Sequence, residues 1–249
     1  MASEPRPDQF DVLKLKTVCS SCSLRELCLP AGLDPRELDA VDRLVNRRRP
    51  VKRGDYVYRA GTALQSLFAI RTGFMKSCVL HEDGREQVAG FHMMGDIVGL
   101  DAISTTWHMC DTVALEDSEV CEIPFSLLEQ LSRDIPSLQQ HFHRIMSREI
   151  VRDYGVMLLL GSMRAEERLA AFLLNLSQRF ATRGYSPSEF NLRMTREEIG
   201  SYLGLKLETI SRVLSRFQEE GLIDVQNKHI KINNMDSLRT LIGHRNCAP

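Results

Sequence analysis

Between Pro50 and Ile123 glycines cut the chain into short apolar or alternating runs, and this leaves few folds open. The runs are Tyr56 to Tyr58, Leu67 to Ile70, Met75 to Leu80, Gln87 to Phe91, Asp96 to Leu100, Asp111 to Leu115 and Glu119 to Ile123, with Gly54, Gly61, Gly73, Gly84, Gly95 and Gly99 between them. Short strands separated by regular turn signals predict an antiparallel barrel or sandwich. Asp83-Gly84 predicts one of its hairpins. The pattern then changes. Pro124 to Leu131 reads as a short helix, and Pro136, suited to a first helical position, opens a long one to about Leu160. A third helix runs from Ala165 to Phe180, and a small α+β module follows the loop Arg183 to Pro187. Upstream, Asp34 as N-cap and Pro35 start a helix with Leu38, Val41, Leu44 and Val45 on one face. Met1 to Val18 reads as a flexible lead.

The strongest local signal is Thr195 to Phe217. Thr195 with Glu198 makes a capping box, and Gly204 sits where a tight turn needs positive φ. The next helix buries Ile210, Val213, Leu214 and Phe217, which leaves Glu208, Ser211 and Arg212 together at i, i+3 and i+4. Arg can bond guanine O6 and N7, Glu can accept from cytosine N4, and Ser suits several base edges. All three lie in the half of the helix that enters the major groove. Arg193, Arg196, Lys206, Arg216 and Lys228 are candidate phosphate contacts, and Leu222 to Ile232 around Asn227-Lys228 reads as a wing. A plain helical hairpin with a solvated face would explain the bare pattern, but not the cap, turn glycine, triad and wing together.

Composition agrees with a site-specific reader rather than a nucleic-acid coat. Lys+Arg 32 against Asp+Glu 33 gives a net charge of -1, so any basic surface must be local. The 249 residues are 43% hydrophobic and 26% charged, enough for two ordinary domains with real cores. Neither a secretory h-region nor a membrane-length apolar run occurs, which predicts a cytosolic chain with reduced thiols and no membrane. Its cysteines number seven, an odd count that complete pairing cannot absorb.

Three of them fall in C-S-S-C-S-L-R-E-L-C, as Cys19, Cys22 and Cys28. Two thiolates separated by two residues can reach one metal centre, and five further residues suffice to bring back a third. Zinc and iron–sulfur sites normally take four ligands. Spacing leaves the fourth open among Cys78, Cys110, Cys121, Cys247 and a histidine, and does not separate zinc from iron–sulfur. Unligated thiols or a disulfide switch are the plainer alternative. No Cys–His–Asp constellation, phosphate-binding glycine loop or H-E-x-x-H is identifiable, so the cysteines and histidines do not point to an enzyme.

Taken in order, the N-terminal cysteines, glycine-punctuated roll, long helix and winged helix-turn-helix resemble the CRP/FNR superfamily of bacterial transcription regulators, in its FNR/Anr oxygen-sensing group. The resemblance covers nearly everything after the first 18 residues. It rests on the cysteine motif, G-F-H-M-M-G-D-I-V-G (Gly90 to Gly99), V-C-E-I-P-F (Val120 to Phe125), A-E-E-R-L-A-A-F (Ala165 to Phe172) and L-G-L-K-L-E-T-I-S-R (Leu203 to Arg212). It implies an α+β chain with a cyclic-nucleotide-binding-like β-roll, a long dimerisation helix and a C-terminal winged helix-turn-helix. The corresponding division is 1–33 with the cysteine motif, 34–135 roll, 136–161 dimerisation helix and 162–249 DNA-binding domain. The resemblance further implies one 4Fe-4S cluster per subunit, held by Cys19, Cys22, Cys28 and Cys121. Cys78, Cys110 and Cys247 match no family ligand. Ser23 and Leu27 match positions that tune oxygen access. Glu208, Ser211 and Arg212, with Thr195, Arg196, Lys206 and Arg216 around them, would read a palindrome like TTGAT-N4-ATCAA. Leu207, where relatives often carry valine, is a mild departure. The hairpin His81 to Gln87 matches the surface that meets RNA polymerase. Cyclic-nucleotide binding needs an Arg-Ser or Arg-Thr pair, and Ile103 to Val113 contains no arginine; no cyclic nucleotide is expected.

In heptads, Met146, Ile150, Asp153, Met157 and Leu160 follow the spacing of a coiled-coil seam. A parallel dimer would bring two Asp153 carboxylates together, at a cost unless they are shielded or protonated. A slight rotation of the helix would leave Asp153 solvated instead. The expectation is that Asp153 keeps the homodimer marginal and that a loaded cluster tips it.

Overall fold

The computed structural model describes residues 19–45, 47–81 and 84–243. The lead Met1 to Val18, Asp83 and Cys247 lie outside the described residues. The cysteine segment coils through successive turns, with Cys22 N bonded to Cys19 O at 3.1 Å and Cys28 N to Leu24 O at 3.0 Å. Helix α1 (Pro35–Leu44) follows. Asp34 caps it as expected, with Glu37 reaching back to close the box.

The roll is two four-stranded antiparallel sheets. Its strands are β1 (Arg47–Val51), β2 (Tyr56–Tyr58), β3 (Ser66–Thr72), β4 (Phe74–Leu80), β5 (Glu86–Met93), β6 (Ile97–Val98), β7 (Asp111–Ala114) and β8 (Ser118–Pro124). The sheet orders are β1-β8-β3-β6 and β2-β7-β4-β5. Val51, Phe68, Ile70, Met75, Val98 and Val120 fill the space between them. Two expectations need correction. The roll begins at Arg47, because three arginines and a proline fit an edge strand that pairs on one side only. Strand β6 is two residues long, because the Asp96 side chain turns back to accept from Met93 N and Gly99 (φ 99°) starts a single 3-10 turn.

Helix α2 (Phe125–Asp134) leads into α3 (Pro136–Ser162), 27 residues and about 40 Å at 1.5 Å per residue. Helix α4 (Ala165–Ala181) packs back on the roll. Strand β9 (Glu189–Asn191), α5 (Arg196–Leu203), α6 (Leu207–Glu219), the wing β10 (Ile223–Gln226) and β11 (His229–Ile232), and α7 (Met235–Leu241) complete the reader. Strand β9 joins the wing in a sheet ordered β10-β11-β9. Arg168 forms the joint between α3 and the reader. Its guanidinium binds the carbonyls of Leu160, Met163 and Leu203 at 2.7, 2.9 and 2.9 Å, where cations suit helix C-termini.

Roll and reader share one core. Phe74, Phe91 and Met93 from the roll pack with Leu173, Tyr202 and Phe217. The buried Asp96 carboxylate reinforces this, taking Arg179 Nη2 at 2.5 Å and Arg183 Nη2 at 2.7 Å, with Arg152 Nη1 at 4.0 Å. Burial alone would raise its pKa, but Arg179, Arg152 and Arg183 lower it from 3.8 to about 2. Its stabilising contribution is therefore complete above pH 3.8 and is lost as pH falls toward 2. At pH 7, Asp96→Asn should cost roughly 3 kcal/mol, as expected when one partner of a buried pair is removed. The melting curves of variant and parent should converge as pH falls from about 4 to 2; calorimetry across that range checks both.

Candidate functional site

Four thiols surround one cavity. Cys19, Cys22 and Cys28 come from the N-terminal loop and Cys121 from β8, and Leu29, Val45, Ala69 and Ile123 wall the space with apolar surface. The β-sheet register explains Cys121. In β8 alternate residues face opposite sides; Val120 enters the core between the sheets, while Cys121 and Ile123 face the cavity. The loop is pinned from outside by Asp42 of α1, which accepts from the Cys19 backbone N–H.

Three of the thiols, Cys19, Cys28 and Cys121, are costly to ionise as they stand. Burial, then Asp42 and Cys28, push Cys19 far up. Burial pushes Cys28 up to about 12 and also raises Cys121, against the lowering influence of Arg71 and Arg48. Thiolates here need an electropositive centre to stabilise them. Among the described residues no group of three or more His, Cys, Asp or Glu side chains is placed to hold a single metal ion. The thiols stand around a space rather than meeting at a point. Arg48, cross-strand from Cys121, has a buried Nε with no partner among the described residues. Four soft donors, apolar walls and an orphaned cationic donor fit a multi-iron sulfur centre. Of the remaining cysteines, Cys78 and Cys110 lie in the roll, and burial pushes both up to about 12. Ser23 is exposed and Leu27 half-buried.

The second site is the reader's surface. Thr195 Oγ1 accepts from Glu198 N at 3.1 Å, and Glu198 accepts from Thr195 N at 2.7 Å. Gly204 (φ 62°) makes the turn, and a Cβ at Gly200 would stand 2.5 Å from Leu205 O, so α5 and α6 cross with no room for a side chain. On α6, Glu208 and Arg212 are exposed and Ser211 is partly so. Ser211 Oγ accepts from Arg196 Nη1 at 3.1 Å, which ties the first helix's arginine to the readout face. Lys206 and Arg212 are exposed and make no ion pair among the described residues. Arg216 is engaged by Glu166 at 2.5 Å and Glu220 at 2.8 Å, and Arg193 by Glu116 at 3.1 Å.

The long helix carries a third surface. Ile150 and Met157 of the predicted seam are 51% and 61% exposed. Met146 instead leans on the core under α1 and α2, and Leu160 lies against the Gly204 turn. Asp153 is exposed at the flank of the stripe. Val151, Tyr154 and Leu158 extend that stripe; a strict 4-3 count over one seam passes over them, although their own spacing of three and four carries the same signal. Between α3 and the roll is a cleft lined by Tyr58, His92, Asp101, Glu149, Arg152 and Asp153. Arg152 is already engaged by Glu149. The described helices include none long and apolar enough to cross a membrane.

Comparison with known proteins follows these surfaces. The family described as Crp-like helix-turn-helix domain matches residues 167–241, and that described as cyclic nucleotide-binding domain matches residues 48–134. The chain is 51% identical over 231 residues to the fumarate and nitrate reduction regulatory protein of Escherichia coli (strain K12), covering 92% of each chain. It is equally similar to the protein of that name from Salmonella typhimurium (strain LT2), with the same coverage. Among solved structures, FixK2 from Bradyrhizobium japonicum aligns with TM-score 0.73 and 30% identity over 78% of this chain and 96% of that one. A CooA mutant from Carboxydothermus hydrogenoformans, at 19% identity, shares the fold with TM-score 0.64 over 79% of this chain and 87% of its own. The relatives are named as regulators rather than enzymes, and with the winged reader already in place the chain belongs to the CRP/FNR family of DNA-binding transcription regulators, alongside the fumarate and nitrate reduction regulatory proteins.

Proposed function

We propose that this regulator responds to oxygen through one 4Fe-4S cluster per subunit, held by Cys19, Cys22, Cys28 and Cys121, and that it acts mainly as an activator when oxygen is absent. The convergence of those four thiols on one apolar-walled cavity carries the reading. When bound there, the cluster supplies thiolate-held iron that oxygen can attack. Ser23 and Leu27 lie in the same loop and would set how readily oxygen arrives. The work divides along the chain as ligand segment 1–33, roll 34–135, dimerisation helix 136–161 and reader 162–249.

The loop touches α3 by two routes. His141 Nε2 donates to Cys28 O at 3.1 Å, and Ser137 Oγ donates at 2.5 Å to Glu37 of α1, the helix that also holds Cys19. Ordering the loop therefore bears on the first turns of α3. That helix bears the exposed stripe, which suits burial against a second copy. Met146, Ile150, Asp153, Met157 and Leu160 are the seam we assign, with Asp153 as the opposing charge. Pairing sets two α6 helices at the spacing a palindrome such as TTGAT-N4-ATCAA demands. Glu208, Ser211 and Arg212 read bases, while Thr195, Arg196, Lys206 and Arg216 meet the backbone. Because Arg216 is bound to Glu166 and Glu220, it must exchange carboxylates for phosphate. RNA polymerase would meet the tip of the β4–β5 hairpin, where His81 is exposed. A cyclic phosphate would find Asp101, Glu149 and Asp153 facing the roll's cleft, so we assign it no cyclic nucleotide. These roles place the protein in the cytoplasm.

Protein purified without air should be brown and contain iron and sulfide, and Cys22→Ser or Cys121→Ser should lose both while Cys78→Ser keeps them. Colourless anaerobic protein with one zinc per chain overturns the cluster. Arg212→Ala should weaken binding by about 1–3 kcal/mol per half-site and relax preference at one base pair, read by titration against single-base variants of the site. Asp153→Ala should dimerise and bind DNA in air; a monomer in sedimentation after air exposure counts against the seam.

A further inference from the structure

Three segments remote in sequence meet at the turn Gly95-Asp96. From the cysteine loop comes Leu27. A side-chain carbon at Gly95 would stand 3.1 Å from Leu27 Cβ and 3.8 Å from Arg183 Nη2, and the backbone there has φ 90°. From the reader come Arg179 of α4 and Arg183 just beyond it. Arg179 binds Asp96 Oδ2 and, at 3.0 Å, Phe91 O. Arg183 binds Asp96 Oδ1 and, at 2.5 Å, Met94 O. From the long helix comes Arg152. The Asp96 and Arg183 side chains are 12% and 6% exposed, so this is an interior joint and not a surface ion pair.

Arg179 and Arg183 each grip both the carboxylate and a backbone carbonyl of the roll. Such paired contacts fix orientation as well as distance. The reader is thus seated on a two-residue turn that the cysteine loop also approaches, Leu27 and Arg183 Nη2 both lying close to Gly95. A turn held this tightly cannot shift against Leu27 without shifting the two arginines bound to it.

We propose that the Gly95-Asp96 turn relays the arrangement of the cysteine loop to the DNA-binding domain within a single chain, with Leu27 bearing on the turn and Asp96 as the positioning residue for Arg179 and Arg183. The relay works before and apart from subunit pairing. It rests on the proposed cluster only for its natural trigger, since any change at Leu27 should set it off.

Hydrogen exchange of the full chain, read over the amides of residues 179–185, tests it as a double-mutant cycle. Leu27→Ala should speed exchange there about tenfold. In an Asp96→Asn background, itself faster, Leu27→Ala should add nothing further. Arg183→Gln replaces Asp96→Asn should the latter melt below the assay temperature, and should give the same non-additivity. A purely structural role predicts additive effects, and additivity overturns the relay, as does an unchanged 179–185 segment in Leu27→Ala. Iron and sulfide are counted on the same samples. Protein without either defeats the cluster reading, yet the cycle still reads the relay, because the substitution disturbs the loop directly.

Discussion

Strand β8 is the constraint on which the rest depends. It lies inside its sheet, bonded to β1 on one side and β3 on the other. Its backbone groups are fully committed, and a one-residue slip would turn every side chain to the opposite face. The register sets Cys121 across from Arg48 and Ala69 and directs it away from the inter-sheet core. Two residues before it, Glu119 pairs at 2.5 Å with Arg71, a residue that also reaches the otherwise apolar cavity. At its end Pro124 hands the chain to α2 and thence to α3. One strand therefore sets both the fourth thiol's position and the take-off of α2 and the long helix α3.

Much of this was legible because it is local. Pro35, Pro136, the Thr195–Glu198 box and Gly204 act within one helical turn, and each stands where the residue pattern puts it. The winged reader and the roll follow from periodicity. What escaped depends on partners far along the chain. Strand β1 is masked by charged residues and a proline, which only its edge position makes tolerable. Strand β9 is three residues long and exists through its pairing with β11. The Asp96 cluster joins residues more than 80 apart, and no spacing rule reaches that far. The proposed fourth ligand belongs to the same class. Spacing alone left several cysteines open, and the family resemblance, not the motif, singled out Cys121.

The seating of the reader also changes what a regulator of this shape can do. Val88 N donates to Ser201 Oγ at 2.8 Å, and Lys76 Nζ reaches Glu198, the carboxylate that closes the α5 cap, at 3.1 Å. Helix α5 is thus tied to the β4–β5 hairpin, as α4 and the residues just beyond it are tied to Asp96. Free swinging of the reader on Arg168 would have to break these contacts together. The reader's orientation is consequently a property of the roll, and whatever alters the roll alters the reader.

On the readings proposed above, two routes lead from the cysteine loop to DNA, and they obey different laws. The route through α3 depends on pairing, so its output scales with protein concentration by mass action. The route through Gly95-Asp96 lies within one chain and is independent of concentration. A bias of about 1.4 kcal/mol on either shifts its own equilibrium, pairing or seating, tenfold. Because the loop touches both, through His141 and Leu27, modest biases add as free energies and multiply as affinities. A pairing switch alone would lose discrimination as the protein accumulates. An intrachain seat that responds to the same loop retains it, and this is the physical advantage of burying a carboxylate between the sensor and the reader.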